Sequence, residues 1–184
     1  MRKSQIKIVS SVLFVLVSLL VSRLGFLKTQ QQPASVEKNM VASDSNALYS
    51  VVKVVDGDTL KIDMNGKEET LRLIGINTPE TVDPRKPVEC FGKEASNEAK
   101  KLLTGKKVRV EKDPTQAERD KYQRLLAYVY GEDGLFFNKY TIEQGYAYEY
   151  TYDVPYKYQD EFKTAQRTAE TAKRGLWAPG VCGK

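Results

Sequence analysis

Histidine is absent from all 184 residues. That excludes Ser–His–Asp and Cys–His catalysis and His-ligated zinc. The two cysteines are too few for a Cys-rich zinc site. Chemistry must therefore come from carboxylates, Arg, Lys, Tyr, Ser or Thr, or from a metal held by oxygen. A strong charge of one sign is also missing from the body of the chain. The formal charge is +5, but Arg2, Lys3, Lys7, Arg23 and Lys28 stand in an opening segment with no acid. Removing these five from the 29 basic residues leaves 24 against 24 acidic ones. Broad electrostatic binding to nucleic acid is not supported, so any phosphate affinity must be local. No internal repeat is present.

Only one long hydrophobic run exists. "IVSSVLFVLVSLLVS" at 8–22 follows the basic start "MRKSQIK". Its length suits a signal-peptide core and falls short of the roughly 20 residues of a full span. Arg23 can snorkel and let "LGFL" extend it, giving a span over residues 8–27. Residues 1–28 therefore read as a cleaved signal or an uncleaved anchor, and either puts the remainder outside the cytoplasm, secreted or membrane-anchored. Residues 29–47 are polar, lack aromatics and read as a flexible linker.

The globular domain is expected over 48–184, a length sufficient for one real core. "LYSVVKVV" and "TLKIDM" are β-rich and flank "DGD", a hairpin signal. "EETLRLIGI" reads as a third strand. "CFGKEASNEAKKLLTG" (90–105) carries Ala95, Ala99, Leu102 and Leu103 at helical spacing, with Gly105 as a stop. "KKVRVEKD" and "RLLAYVYG" read as strands. "FFNKYTIEQG" and "YKYQDEFKTAQRTAETAKRG" read as helices ending at Gly145 and Gly175. Three strands, a helix, two strands and two helices predict an α+β domain with a small barrel.

Three segments carry candidate chemistry. In "VVDGDTL" (54–60), Asp-Gly is ordinary hairpin-turn chemistry, but a turn does not account for the second acid. Asp56 and Asp58 can aim oxygens at one point, as Ca²⁺ and Mg²⁺ require. An EF-hand is excluded by Leu60 and Lys67. In "LRLIGINTPET" (71–81), Arg72 is either a snorkelling edge arginine or a rigid fork for phosphate. Pro79 biases Thr78 toward extended backbone, which exposes the Thr78 carbonyl. Asn77 and Glu80 flank it. In "DKYQRLLAYVY" (120–130), Lys121, Tyr122 and Arg124 precede a strand, and Arg124 would complete a two-point phosphate clamp.

"VVDGDTLKI", "LRLIGINTPET", "FGKEAS" and "DKYQRLLAYVY", in this order and spacing, resemble the staphylococcal (micrococcal) nuclease, or thermonuclease, family. The resemblance covers residues 48–178. It implies an OB-type five-stranded barrel with three helices. It implies a Ca²⁺-dependent endonuclease acting on DNA and RNA as a monomer and leaving 3′-phosphate ends. By the resemblance, Asp58, Asn77 and the Thr78 carbonyl are calcium ligands with Asp56 beside them. Glu80 positions or deprotonates the attacking water, and Arg72 and Arg124 grip the scissile phosphate. Lys121 and Tyr122 fall in the substrate-binding stretch, joined by Tyr150 or Tyr152. Asn77 departs from the pattern, because the best-known member has Asp there.

Cys90 and Cys182 lie outside this pattern. In an exported chain they can form a disulfide, and two free thiols are the alternative. The competing function is a non-catalytic OB module that binds single strands or protein. It would have no need of a water-positioning acid at Glu80. A two-carboxylate glycosidase would leave the paired arginines without a role.

Overall fold

The structure, a computed structural model, describes residues 46–85 and 87–183. The expected signal or anchor at 1–28, and all but the end of the expected linker at 29–47, lie outside the described residues. Among the described residues no helix is long and apolar enough to cross a membrane.

Strands β1 (Leu48–Asp56), β2 (Thr59–Met64) and β3 (Lys67–Leu73) form an antiparallel meander. Helix α1 (Gly92–Leu103) follows a loop, and then come β5 (Lys107–Glu111) and β6 (Leu125–Gly131). The order β1-β2-β3-β6-β5 closes into a barrel, because β5 pairs back onto β1 and β6 lies parallel to β3. Two further helices, α2 (Phe137–Glu143) and α3 (Gln159–Thr171), complete the domain. This is the expected α+β barrel with three helices.

The barrel interior follows from period-two patterning. Leu60, Ile62, Leu71, Leu73, Val108 and Leu125 are fully or almost fully buried. Helix α1 turns Ala95, Ala99 and Leu103 inward, at the predicted helical spacing. Tyr128 of β6 sits between barrel and α3, with its ring edge-on to Phe162 at 6.3 Å. Its hydroxyl donates to Asp113 Oδ2 at 2.6 Å. Truncating Phe162, which is fully buried, removes a packing partner worth about 3–5 kcal/mol.

The third strand departs from its expected extent. It was predicted to run through Ile76, but it ends at Leu73 and turns at Gly75, where φ is +77°. A Cβ there would meet Tyr156 and Phe162 side-chain atoms at 2.6 and 2.8 Å. Ile76–Asn77 forms a separate short strand, β4, paired with β7 (Tyr148–Glu149), which the sequence patterning did not predict. The buried Asn138 of α2 fixes the break. Its Nδ2 donates to the Ile74 carbonyl at 2.9 Å, and its Oδ1 accepts from Val129 N at 2.9 Å. The helices also start later than predicted, at Gly92 and at Gln159.

Candidate active site

The β1–β2 turn and the break after β3 meet, and Asp58 is the hub. Its Oδ2 accepts hydrogen bonds from Thr78 N at 3.0 Å and Thr78 Oγ1 at 3.2 Å. The same oxygen pairs with Arg72 Nη2 at 3.2 Å. Its Oδ1 accepts from the Thr59 hydroxyl at 3.0 Å. Register explains the meeting, since Thr59 lies opposite Arg72 across β2 and β3. Gly57 permits it for a reason other than the predicted turn chemistry. Its φ is not in the positive region, but a Cβ would come within 2.6 Å of Thr78 Cγ2. The glycine is needed for close approach.

Arg72 spans the break in the strand. Its Nη1 donates to the carbonyls of Leu73 and Ile76, each at 2.9 Å, and its Nη2 reaches Asn77 Oδ1 at 3.2 Å. The guanidinium thus holds Asp58 and Asn77 together from one side. Only 14% of its side chain is exposed, so it is held rigidly and is not a snorkelling surface arginine.

Asp56 and Glu80 are joined through Thr81. Asp56 Oδ1 accepts from Gly57 N and from the Thr81 hydroxyl, both at 2.8 Å. Burial pushes the Asp56 carboxyl above its usual range. The Asp58 and Glu80 carboxylates add to that, and the two hydrogen bonds oppose it. Glu80 Oε1 accepts from the backbone N–H groups of Thr81, Val82 and Asp83 at 2.8, 2.7 and 3.1 Å. Burial alone would raise the Glu80 carboxyl, but these donors outweigh it and hold it below the usual range. The Glu80 backbone is itself clasped by Glu89. Glu89 Oε2 accepts from Glu80 N at 3.0 Å, and Glu89 N donates to Glu80 O at 2.9 Å.

A second group forms just before β6. Asp120 Oδ2 takes Arg124 Nε at 2.7 Å and Nη2 at 2.6 Å. Its Oδ1 accepts from the backbone N–H groups of Tyr122 and Arg124. The Tyr122 ring is exposed and lies 5.3 Å from the Arg124 guanidinium and 5.1 Å from Lys121 Nζ. Arg72 is opposite Leu126 on parallel strands, so Arg124 precedes by two residues the position beside Arg72. Tyr150 and Tyr152 are exposed after β7, with rings 6.3 Å apart. Tyr150 N donates to Gly75 O at 3.0 Å, and Tyr148 lies opposite Asn77.

Direct contacts therefore unite Asp58, Arg72, Asn77 and Thr78, and Thr81 links Asp56 to the Glu80 turn. Lys121, Tyr122 and Arg124 form their own group around Asp120. Sequence reasoning missed Thr81, Glu89, Asp120 and Tyr148. Of these only Asp120 left a signal, as an acid four residues before Arg124. Among the described residues no three Asp, Glu, Cys or His side chains assemble as a metal cluster. The candidate donors are mixed instead: the Asp56 and Asp58 carboxylates, the Asn77 amide oxygen and the Thr78 carbonyl. All are hard oxygens, and the Asp58 and Glu80 carboxylates each disfavour charge on Asp56. Such a set fits a hard divalent cation.

The family model "Staphylococcal nuclease homologue" matches residues 70–179. The chain is 39% identical over 174 residues to a thermonuclease of Staphylococcus hyicus, covering 94% of this chain and 98% of that protein. It is 43% identical over 129 residues to a thermonuclease of Staphylococcus intermedius, covering 70% and 75%. It is 38% identical over 127 residues to the endonuclease YncB of Bacillus subtilis (strain 168), covering 68% and 59%.

Proposed function

The chain belongs to the staphylococcal nuclease homologue family and is a nuclease; on that premise we propose that it is a calcium-dependent endonuclease that hydrolyses DNA and RNA and leaves 3′-phosphate ends. The observation that carries this reading is the joining of Asp58, Arg72, Asn77 and Thr78 two residues from a Glu80 carboxyl held below its usual range.

Phosphodiesters repel nucleophiles, so the site must neutralise the phosphate before water can attack. Arg72 on β3 and Arg124 just before β6 carry guanidinium forks suited to phosphate oxygens. Guanidinium charge counts for most where negative charge grows, on the phosphoryl oxygens of the transition state. Calcium, when held by Asp58, Asn77 and the Thr78 carbonyl with Asp56 beside them, supplies further positive charge at those oxygens.

Glu80 orients the water. Its three backbone hydrogen bonds converge on Oε1, so Oε2 is the oxygen that meets the water. A carboxyl held below the usual range is ionised at neutral pH and is a weak base. Alignment in line with the leaving 5′-oxygen is therefore its first contribution, and proton acceptance follows as the new O–P bond forms. The P–O5′ bond breaks, the 5′-oxygen takes a proton from solvent water, Glu80 returns its proton to solvent, and the phosphate stays on the 3′ side. Lys121, Tyr122, Tyr150 and Tyr152 offer charge and aromatic faces to the strand on either side of the cut.

The reading extends to an extracytoplasmic monomer. The basic start and apolar run at 1–28 support export, by a cleaved signal or by an anchor at 8–27. An oxidising compartment also suits Cys90 and Cys182, whose sulfurs are bonded with Cα atoms 5.4 Å apart. The test is cleavage of end-labelled DNA and RNA oligonucleotides with calcium present. Products carrying 3′-phosphates support the reading. Products carrying 3′-hydroxyls, or binding without cleavage, contradict it.

A further inference from the structure

We infer that Glu89 is a positioning residue for Glu80, and that the Cys90–Cys182 disulfide holds Glu89 in place. The inference rests on the reading of Glu80 as the water-aligning acid. It goes beyond that reading by tying turnover to the disulfide.

The Glu80 carboxylate has no independent seat. Its Oε1 is held only by the backbone amides of residues 81–83, so the carboxylate goes where that turn goes. The turn is held where the chain returns to it. Glu89 takes both backbone groups of Glu80, the N–H through its side chain at 3.0 Å and the carbonyl through its own N–H at 2.9 Å. Thr81, next in the chain, is tied to the buried Asp56. Residue 80 is thereby fixed on one side by the barrel turn and on the other by Glu89.

Glu89 is exposed and stands in a segment of irregular backbone, so its position needs an anchor. The next residue, Cys90, is bonded to Cys182 near the C-terminus. Phe91 follows with φ +66° and stacks on Tyr146 at 5.7 Å, and Gly92 N donates back to Glu89 O at 3.1 Å. The tail that carries Cys182 is itself seated. Trp177 packs edge-on against Tyr148 at 5.4 Å, and Tyr148 is the strand partner of Asn77. One tail therefore reaches both sides of the site, Asn77 through Tyr148 and Glu80 through Cys90 and Glu89. A dithiol supplies two electrons and two protons, converts the disulfide to two thiols and becomes oxidised itself. The link to the tail is then cut.

The experiment measures kcat and KM on DNA with saturating calcium. It compares the full chain with Glu89→Ala, Glu89→Gln, Cys182→Ser and Glu80→Gln, well below each melting temperature. Glu89→Ala is expected to lower kcat about tenfold with KM unchanged, in line with the cost of a small misplacement. Glu89→Gln, whose amide oxygen still accepts the Glu80 N–H, restores kcat to within about twofold of the parent. Cys182→Ser, or dithiol treatment of the parent, lowers kcat similarly. The two changes together cost less than their product, because they loosen one clasp. Hydrogen exchange of the Glu80 amide should quicken in Glu89→Ala. Parental kcat in Glu89→Ala, or parental kcat after reduction proven by thiol alkylation, overturns the inference while an inactive Glu80→Gln leaves the reading of Glu80 standing. Full activity in Glu80→Gln overturns both.

Discussion

The Nη2 of Arg72 lies 3.2 Å from Asp58 Oδ2, with 14% and 10% of the two side chains exposed. The pair is nearly dry, and four of the guanidinium's contacts run to Asp58, Leu73, Ile76 and Asn77. Lysine has a compact charge and cannot span these partners. Arg72→Lys should therefore lower turnover by about 10²–10³-fold and stability by about 1–3 kcal/mol, since buried carbonyls lose donors. Initial rates and urea unfolding check the two effects separately. Unchanged turnover in a destabilised variant would leave Arg72 a purely structural residue.

Asn77 brings an oxygen without a charge. Calcium affinity depends on the count and rigidity of charged oxygens around the ion. Asn77→Asp should therefore lower the calcium needed for half-maximal activity. A calcium titration of both proteins at fixed pH and salt reads this out. An unchanged or higher requirement would remove Asn77 from the ligand set and redraw the site around Asp56 and Asp58.

Much of the barrel was legible because its cause is local. β-rich composition marked β2, and helical spacing in α1 marked Ala95, Ala99 and Leu103, which are buried. The break at Gly75 was not legible, because Tyr156 and Phe162, far along the chain, crowd it. Strand β7 was missed for a similar reason, since two residues make no period and their partner is Ile76–Asn77. At the site, residue types announced Asp58, Arg72 and Glu80. The partners that orient them, Thr81, Glu89 and Asp120, are common polar residues whose roles arise only on folding.

Acid stability should depend on Glu69. The Arg119 and Lys67 side chains hydrogen-bond its carboxylate and bring its pKa down to about 2. A folded pKa below the unfolded one gives stability that is full above the ordinary Glu range near 4.5 and is lost as pH falls toward 2. Lys67 is largely exposed, so solvent screening trims the gain to about 1–2 kcal/mol. Glu69→Gln should unfold more easily than the parent at pH 7, and the two should converge near pH 2. Chemical denaturation across that range checks it, and a constant difference at every pH would refute it.

Cys90 and Cys182 close a loop with a sequence separation of 92. In the chain-entropy model such a bridge stabilises by about 4–5 kcal/mol. Protein from an oxidising compartment should weigh two hydrogens less than the reduced form, and reduction should lower its melting temperature. Two alkylatable thiols in that material would contradict the pairing.

The central claim, that Glu80 aligns water for phosphodiester hydrolysis in a calcium-requiring site, is tested most directly by plasmid cleavage. Purified parent and Glu80→Gln are incubated with supercoiled plasmid, each with calcium and with chelator. The account predicts nicking and linearisation by the parent with calcium, none with chelator, and a rate at least about 10²-fold lower for Glu80→Gln with an unchanged circular dichroism spectrum. Cleavage that persists in chelator, or a well-folded Glu80→Gln that cuts at the parental rate, would contradict it.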